Sequence, residues 1–200
     1  MVYMDQKQFR QALKTILDDL RDKLEGNEGI GVFVKNRDKF EGWLKVETVD
    51  ILYNKFTENV VPEKRYYNKN ANSKKRNKHY RIVDIVFDDS ALELKTVNTN
   101  YKHIKNKKVK RGNDKNNRPI TLNIKQLKAD IEKLRNLQNE DIKNKAVLFV
   151  VFPLPENNIE EFENYHLQKL GLKKQDILSK EFTTNGDVSN RIYYGIVREQ

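Results

Sequence analysis

The stretch "RIVDIVFDDSALELKTV", residues 81–97, decides how this chain is read. Two apolar runs flank Asp88-Asp89, and three charges interrupt them: Asp84 in the first, Glu93 and Lys95 in the second. Strands this apolar belong inside a protein, where an isolated charge is costly. If residues 81–87 and 90–97 pair as antiparallel strands around a two-residue turn, the register is fixed. Asp84 then lies opposite Glu93, Ile82 opposite Lys95, Val83 opposite Leu94, Ile85 opposite Leu92 and Phe87 opposite Ser90. One face carries Val83, Ile85, Phe87, Leu92 and Leu94; the other gathers Asp84, Glu93 and Lys95. A slip of one residue would throw the acids onto the apolar face, so the pattern selects this register.

Opposed side chains sit about 5 Å apart at Cβ. Two carboxylates at that spacing repel, and one must keep its proton unless a cation lies between them. A hard divalent ion such as Mg²⁺ takes oxygen ligands and keeps water positions open for a substrate phosphate. A lysine on the same face can orient a water or stabilise developing charge, which completes the equipment for phosphodiester hydrolysis. The alternative is a surface salt bridge in which Lys95 merely neutralises the two acids. Apolar flanks and basic neighbours weigh against it.

Those neighbours stand out in the charge distribution. The chain has 200 residues, a formal net charge of +10 and no cysteine. Residues 62–79 hold seven Lys/Arg against one acid, and residues 102–118 hold eight against one. These segments contribute +6 and +7, which leaves the rest at −3. Two basic segments on a near-neutral scaffold suggest a surface for a polyanion. The absence of cysteine excludes disulfides and thiolate chemistry. The first residues lack the apolar core of a signal peptide, and no run approaches membrane-spanning length, so a cytoplasmic protein without membrane contact is the expectation.

Around the hairpin the pattern is that of an α/β protein forming a single domain over residues 1–200. Residues 5–25 place Phe9, Leu13, Ile16, Leu17, Leu20 and Leu24 on one helical stripe. "GIGVFVKN" reads as a strand or extended connection. A helix is expected at 39–56, buried on more than one face, and an extended segment at 58–67, where Pro62 argues against a central strand. An amphipathic helix follows at 121–138, a buried strand at 145–152, a helix near 157–170 and a last strand, "RIYYGIVRE". The element order is that of a layered fold.

At "VDIVFDDSALELK" the sequence resembles the metal-binding signature of the PD-(D/E)XK nuclease superfamily, which has the restriction-endonuclease-like fold. Asp84 matches the first acid, Glu93 the second and Lys95 the lysine; Val83 stands where the family name has proline. The resemblance covers about residues 39–152, a three-layer core of helix, hairpin strands, helix and strand. The helix at 5–25 and the helix and strand at 157–198 are additions. It implies metal ligation by Asp84, Glu93 and the backbone carbonyl of Leu94, with Mg²⁺ as cofactor and Mn²⁺ as substitute. Many members carry a further catalytic glutamate on the first core helix, which reaches toward the metals, indirectly or on a second ion. Glu41 and Glu47 are the candidates, and Glu47 is preferred because it shares a face with Phe40, Leu44 and Ile51. Gln126 falls where some members place a polar residue, although an ordinary surface glutamine fits as well. His79, His103 and His166 are too scattered for a metal cluster.

The resemblance further implies an endonuclease acting on double-stranded DNA, of the small type II restriction kind, working as a homodimer. A structure-specific repair or recombination nuclease and a non-catalytic nucleic-acid-binding module are the alternatives. Expected DNA contacts are Lys74, Lys75 and Arg76 in the first basic segment, and Lys105, Lys107, Lys108, Lys110 and Arg111 in the second. Asn98 and Asn100 continue from the catalytic strand and join them. The stripe at 5–25 suits either a dimer surface or a cap over the core.

Overall fold

The computed structural model describes residues 3–25, 27–36, 38–67, 80–99, 120–137, 139–172, 177–183 and 191–199. The expected DNA contacts Lys74, Lys75, Arg76, Asn100, Lys105, Lys107, Lys108, Lys110 and Arg111 therefore lie outside the described residues.

Helix α1 (Gln6–Glu25) buries the whole of its apolar stripe. That stripe covers the core of this chain. Helix α2 (Glu28–Asn36) stands where a strand or extended connection was expected. Asn27 accounts for the difference: its side-chain oxygen accepts the Ile30 N–H at 3.2 Å, satisfying a donor that a helix start leaves open. Ile30 and Val34, one turn apart, then face inward. Helix α3 (Glu41–Lys55) buries Leu44, Thr48, Ile51 and Leu52 on one stripe, while Val46 and Tyr53 are exposed. It is less buried than its composition suggested.

Six strands form one mixed sheet: β1 (Val60–Tyr67), β2 (Tyr80–Phe87), β3 (Ser90–Asn98), β4 (Asn144–Phe152), β5 (Ile177–Thr183) and β6 (Arg191–Glu199). Their spatial order is β1-β2-β3-β4-β6-β5, with only β3 and β4 parallel. Pro62 accordingly sits on an edge strand, where its missing N–H is harmless. The parallel pair needs a crossover, which α4 (Ile120–Arg135) supplies. A helical segment follows β4, running from a 3₁₀ turn, Glu156–Asn158, through α5 (Ile159–Glu161) to a π-helical stretch, Phe162–Leu167.

Two apolar clusters lie on opposite faces of the sheet. One joins α1, α2 and α3 to Ile85, Phe87, Leu92 and Leu94. The other joins α4 and the helical segment after β4 to Tyr66, Val83, Val86 and Val97. Val83 therefore lies on the opposite face from Ile85, against the simple alternation of the sequence. The same change of face occurs in β1, where Val60 packs with the first cluster and Tyr66 with the second. Between them the β1–β2 ladder skips one pair, Glu63 and Asp84, and Glu63 has φ 52°. A left-handed residue at that point turns the pleat over.

Candidate metal and phosphodiester site

The two-residue turn forms as expected, with Phe87 paired to Ser90, Val86 to Ala91 and Ile85 to Leu92. Asp88 takes φ 47°, and its Oδ1 accepts from Thr57 Oγ1 at 3.0 Å and Asn59 Nδ2 at 3.1 Å. Beyond Ile85 and Leu92 the two strands part. In a continued ladder the N–H groups of Leu94 and Thr96 would meet the backbone of β2. Here they meet carboxylates. Leu94 N–H donates to Asp84 Oδ2 at 2.9 Å, and Thr96 N–H donates to Glu41 Oε2 at 3.0 Å. Asp84 and Glu93 still converge, through the splayed end of the hairpin and not through direct cross-strand pairing.

Glu93 is 7% exposed and is hydrogen-bonded to Asp84, while its Oε1 is buried with no partner. Burial first, then the hydrogen bond and charge of Asp84, push the Glu93 carboxyl up to about 8. It therefore holds a proton at neutral pH and donates it to Asp84. Burial alone would raise Asp84 as well, but hydrogen bonds from Glu93, Lys45 and the Leu94 N–H outweigh it and hold the group below the usual carboxylate range. One acid of the pair is charged and the other neutral.

Lys95 lies between two helices. Its Nζ is 3.4 Å from Asp130 Oδ2 on α4 and 3.8 Å from Glu41 Oε2 on α3. Lys45, one turn after Glu41 on α3, reaches Asp84 Oδ1 at 2.9 Å and Glu63 Oε1 at 2.9 Å. Arg81 on β2 has its Nε and Nη2 buried without partners, and burial lowers its affinity for its proton. The splayed hairpin thus carries two polar groups, Asp84 and Glu93 with Lys45, and Lys95 with Glu41 and Asp130.

Several expected site residues lie elsewhere or are otherwise engaged. Glu47 bonds Lys23 of α1 at 2.5 Å, on a salt bridge that ties two helices together. Six residues separate it from Glu41, about 9 Å along the axis and two-thirds of a turn round. Glu41 is the α3 acid that reaches β3. Asn98 is 4% exposed, and its side-chain and backbone oxygens accept from Asn123 Nδ2 at 2.6 and 2.7 Å. It ties β3 to α4 and does not present a surface for DNA. Gln126 is exposed on α4, and Asp130, one turn later, makes the contact with Lys95.

Lys45 and Asp130 were not singled out from the sequence, but both left a signal. Lys45 follows Glu41 by four and so shares its face. Asp130 interrupts the buried stripe of Asn123, Leu127 and Leu134.

Asp84, Glu93 and the Leu94 carbonyl are the oxygen donors that a hard divalent cation would meet here. Asp84 already has the Lys45 ammonium at 2.9 Å, and an extended backbone turns the Leu94 carbonyl to the same side as its N–H. Among the described residues no group of three or more His, Asp or Glu is arranged to hold a metal ion. An ion here would therefore complete its shell from backbone carbonyl and water, as Mg²⁺ commonly does. No helix among the described residues is long and apolar enough to cross a membrane. Compared with family models, curated proteins and solved structures, the chain matches none of them.

Proposed function

We propose that this chain is a Mg²⁺-dependent endonuclease hydrolysing phosphodiester bonds in double-stranded DNA, with a restriction-endonuclease-like core. The observation that carries the reading is the pairing of Asp84 with Glu93 where β2 and β3 part, with Lys95 two residues further along β3. The ends of the two hairpin strands, which lead toward the basic segments in sequence, support it. Tyr80 opens β2 and Asn98 closes β3, and because these strands are antiparallel both lie at the splayed end of the hairpin. A cationic segment attached at that end of the hairpin would suit a grip on a phosphate backbone.

Asp84, Glu93 and the Leu94 carbonyl would hold Mg²⁺, or Mn²⁺ in its place. A bound divalent ion polarises a phosphoryl oxygen and acidifies a water. Glu93 would have to give up its proton to serve as a ligand. Lys95 places an ammonium beside the phosphate and stabilises the charge that develops there. Glu41 and Asp130 hold that ammonium in place. A homodimer would serve the two strands of a duplex, and a two-fold axis would match a palindromic target of the type II restriction kind.

Purified protein incubated with plasmid and with branched DNA, in Mg²⁺ or EDTA, beside Lys95→Ala, tests the reading. Discrete plasmid fragments that require Mg²⁺ and Lys95 support restriction-type cutting. Cutting confined to branches would shift the assignment to a structure-specific nuclease. Wild type and Lys95→Ala that both bind DNA without cutting would overturn catalysis.

A further inference from the structure

Both oxygens of Asp84 already have a hydrogen-bonding partner. Its Oδ2 takes the Leu94 N–H at 2.9 Å, and its Oδ1 takes Lys45 Nζ at 2.9 Å. Lys45 is thus the cation that already neutralises the charged member of the carboxyl pair. The same ammonium is 2.9 Å from Glu63 Oε1, on the opposite side from β3. Glu63 faces Asp84 across the pair that the β1–β2 ladder omits. Its φ of 52° places a residue with a side chain in the left-handed region, which is sterically unfavourable. Such outliers persist where surrounding structure enforces them, commonly at sites of function.

A surface salt bridge alone gives little reason for this arrangement. The Lys45 side chain is 21% exposed and that of Asp84 18%, whereas that of Glu63 is 66% exposed. The ammonium has three donors on a flexible four-carbon stem. It can leave Asp84 without leaving Glu63, because both acceptors are already within its reach. A divalent ion approaching Asp84 must displace Lys45 or suffer its repulsion.

We propose that Lys45 is a built-in counter-ion that competes with the divalent cation for Asp84, and that Glu63 receives it when the cation binds. This rests on the reading that Asp84 and Glu93 hold such a cation. Lys45 sets the concentration at which the site fills and keeps Asp84 from standing as an uncompensated charge before then. Glu63 lowers the cost of displacement and acts through Lys45 only.

Calorimetric titration with Mn²⁺, without DNA, at pH 8 and physiological salt, separates the roles. Lys45→Met is expected to tighten Mn²⁺ binding about tenfold, within the usual range of coupling between sites. Glu63→Gln is expected to weaken it several-fold in the native background and by less than twofold in the Lys45→Met background. Glu63 is largely exposed, so its variant keeps the test open even if Lys45→Met folds poorly. Unchanged affinity in Lys45→Met would overturn the competition while leaving the cation site standing. Equal weakening by Glu63→Gln in both backgrounds would show that Glu63 acts on the ion itself, and would overturn the receiving role. No Mn²⁺ binding by any variant would remove the cation site and this inference with it.

Discussion

The Leu94 N–H donates to Asp84 Oδ2 at 2.9 Å, so a side chain of β2 answers a β3 donor that the β2 backbone has left. Asp84 is therefore both part of the carboxyl pair and a structural acceptor. Asp84→Ala strands the Leu94 N–H and leaves Lys45 with Glu63 alone, and is expected to cost about 1–3 kcal/mol in stability besides abolishing cutting. Asp84→Asn keeps an acceptor oxygen and should recover most of the stability but none of the cutting. Thermal melts beside plasmid cleavage separate the two, and DNA binding should survive in both.

Glu93 makes stability depend on pH. Its folded pKa, about 8, lies above the ordinary value of 4.5, so the folded state binds the proton more tightly. The stabilisation is fully present below about 4.5 and is lost as pH rises through about 8. Without divalent ions, the melting temperature should fall across that window. Glu93→Gln, a neutral isostere, should flatten the fall and be the more stable protein at pH 9.

The two glutamates of α3 should separate cleanly. Glu41→Gln weakens the hold on the Thr96 N–H and Lys95 Nζ, and is expected to slow cutting at least tenfold while leaving DNA affinity nearly unchanged. Glu47→Gln loses a partly exposed ion pair with Lys23, worth under about 1 kcal/mol, and should cut normally. Single-turnover rates with saturating enzyme provide the comparison.

The second basic segment is expected to bind phosphates without reading sequence. Replacing Lys105, Lys107, Lys108 and Lys110 by alanine should weaken DNA binding at low salt. It should also reduce the slope of log affinity against log salt by about 3–4, at about 0.9 per phosphate neutralised. An unchanged slope would take this segment off the backbone.

The hairpin was legible because three conditions agreed: a two-residue turn, apolar alternation on both sides, and acids that only one register keeps off the apolar face. The change of face at Glu63 and Asp84 was not, because nothing in the side-chain pattern marks a left-handed glutamate. Simple alternation therefore placed Val83 with Ile85. Glu47 looked inward on the helical wheel since it shares a face with Leu44 and Ile51, but the edge of that face meets α1, where Lys23 waits. Asn98 looked like a surface polar residue because its buried partner, Asn123, lies 25 positions away. Strand β5 went unread, since "ILSKEFT" is short and polar and becomes a strand by pairing with β6. Local pattern fixed the elements nearest the turn; partners distant in sequence decided the rest.

Proton release on cation binding tests the central claim most directly. In lightly buffered solution at pH 7, without DNA, Mg²⁺ added to the protein should release close to one proton per bound ion as Glu93 ionises. Glu93→Gln should release almost none. Binding without proton release, or equal release from Glu93→Gln, would show that the ion does not sit on the Asp84–Glu93 pair.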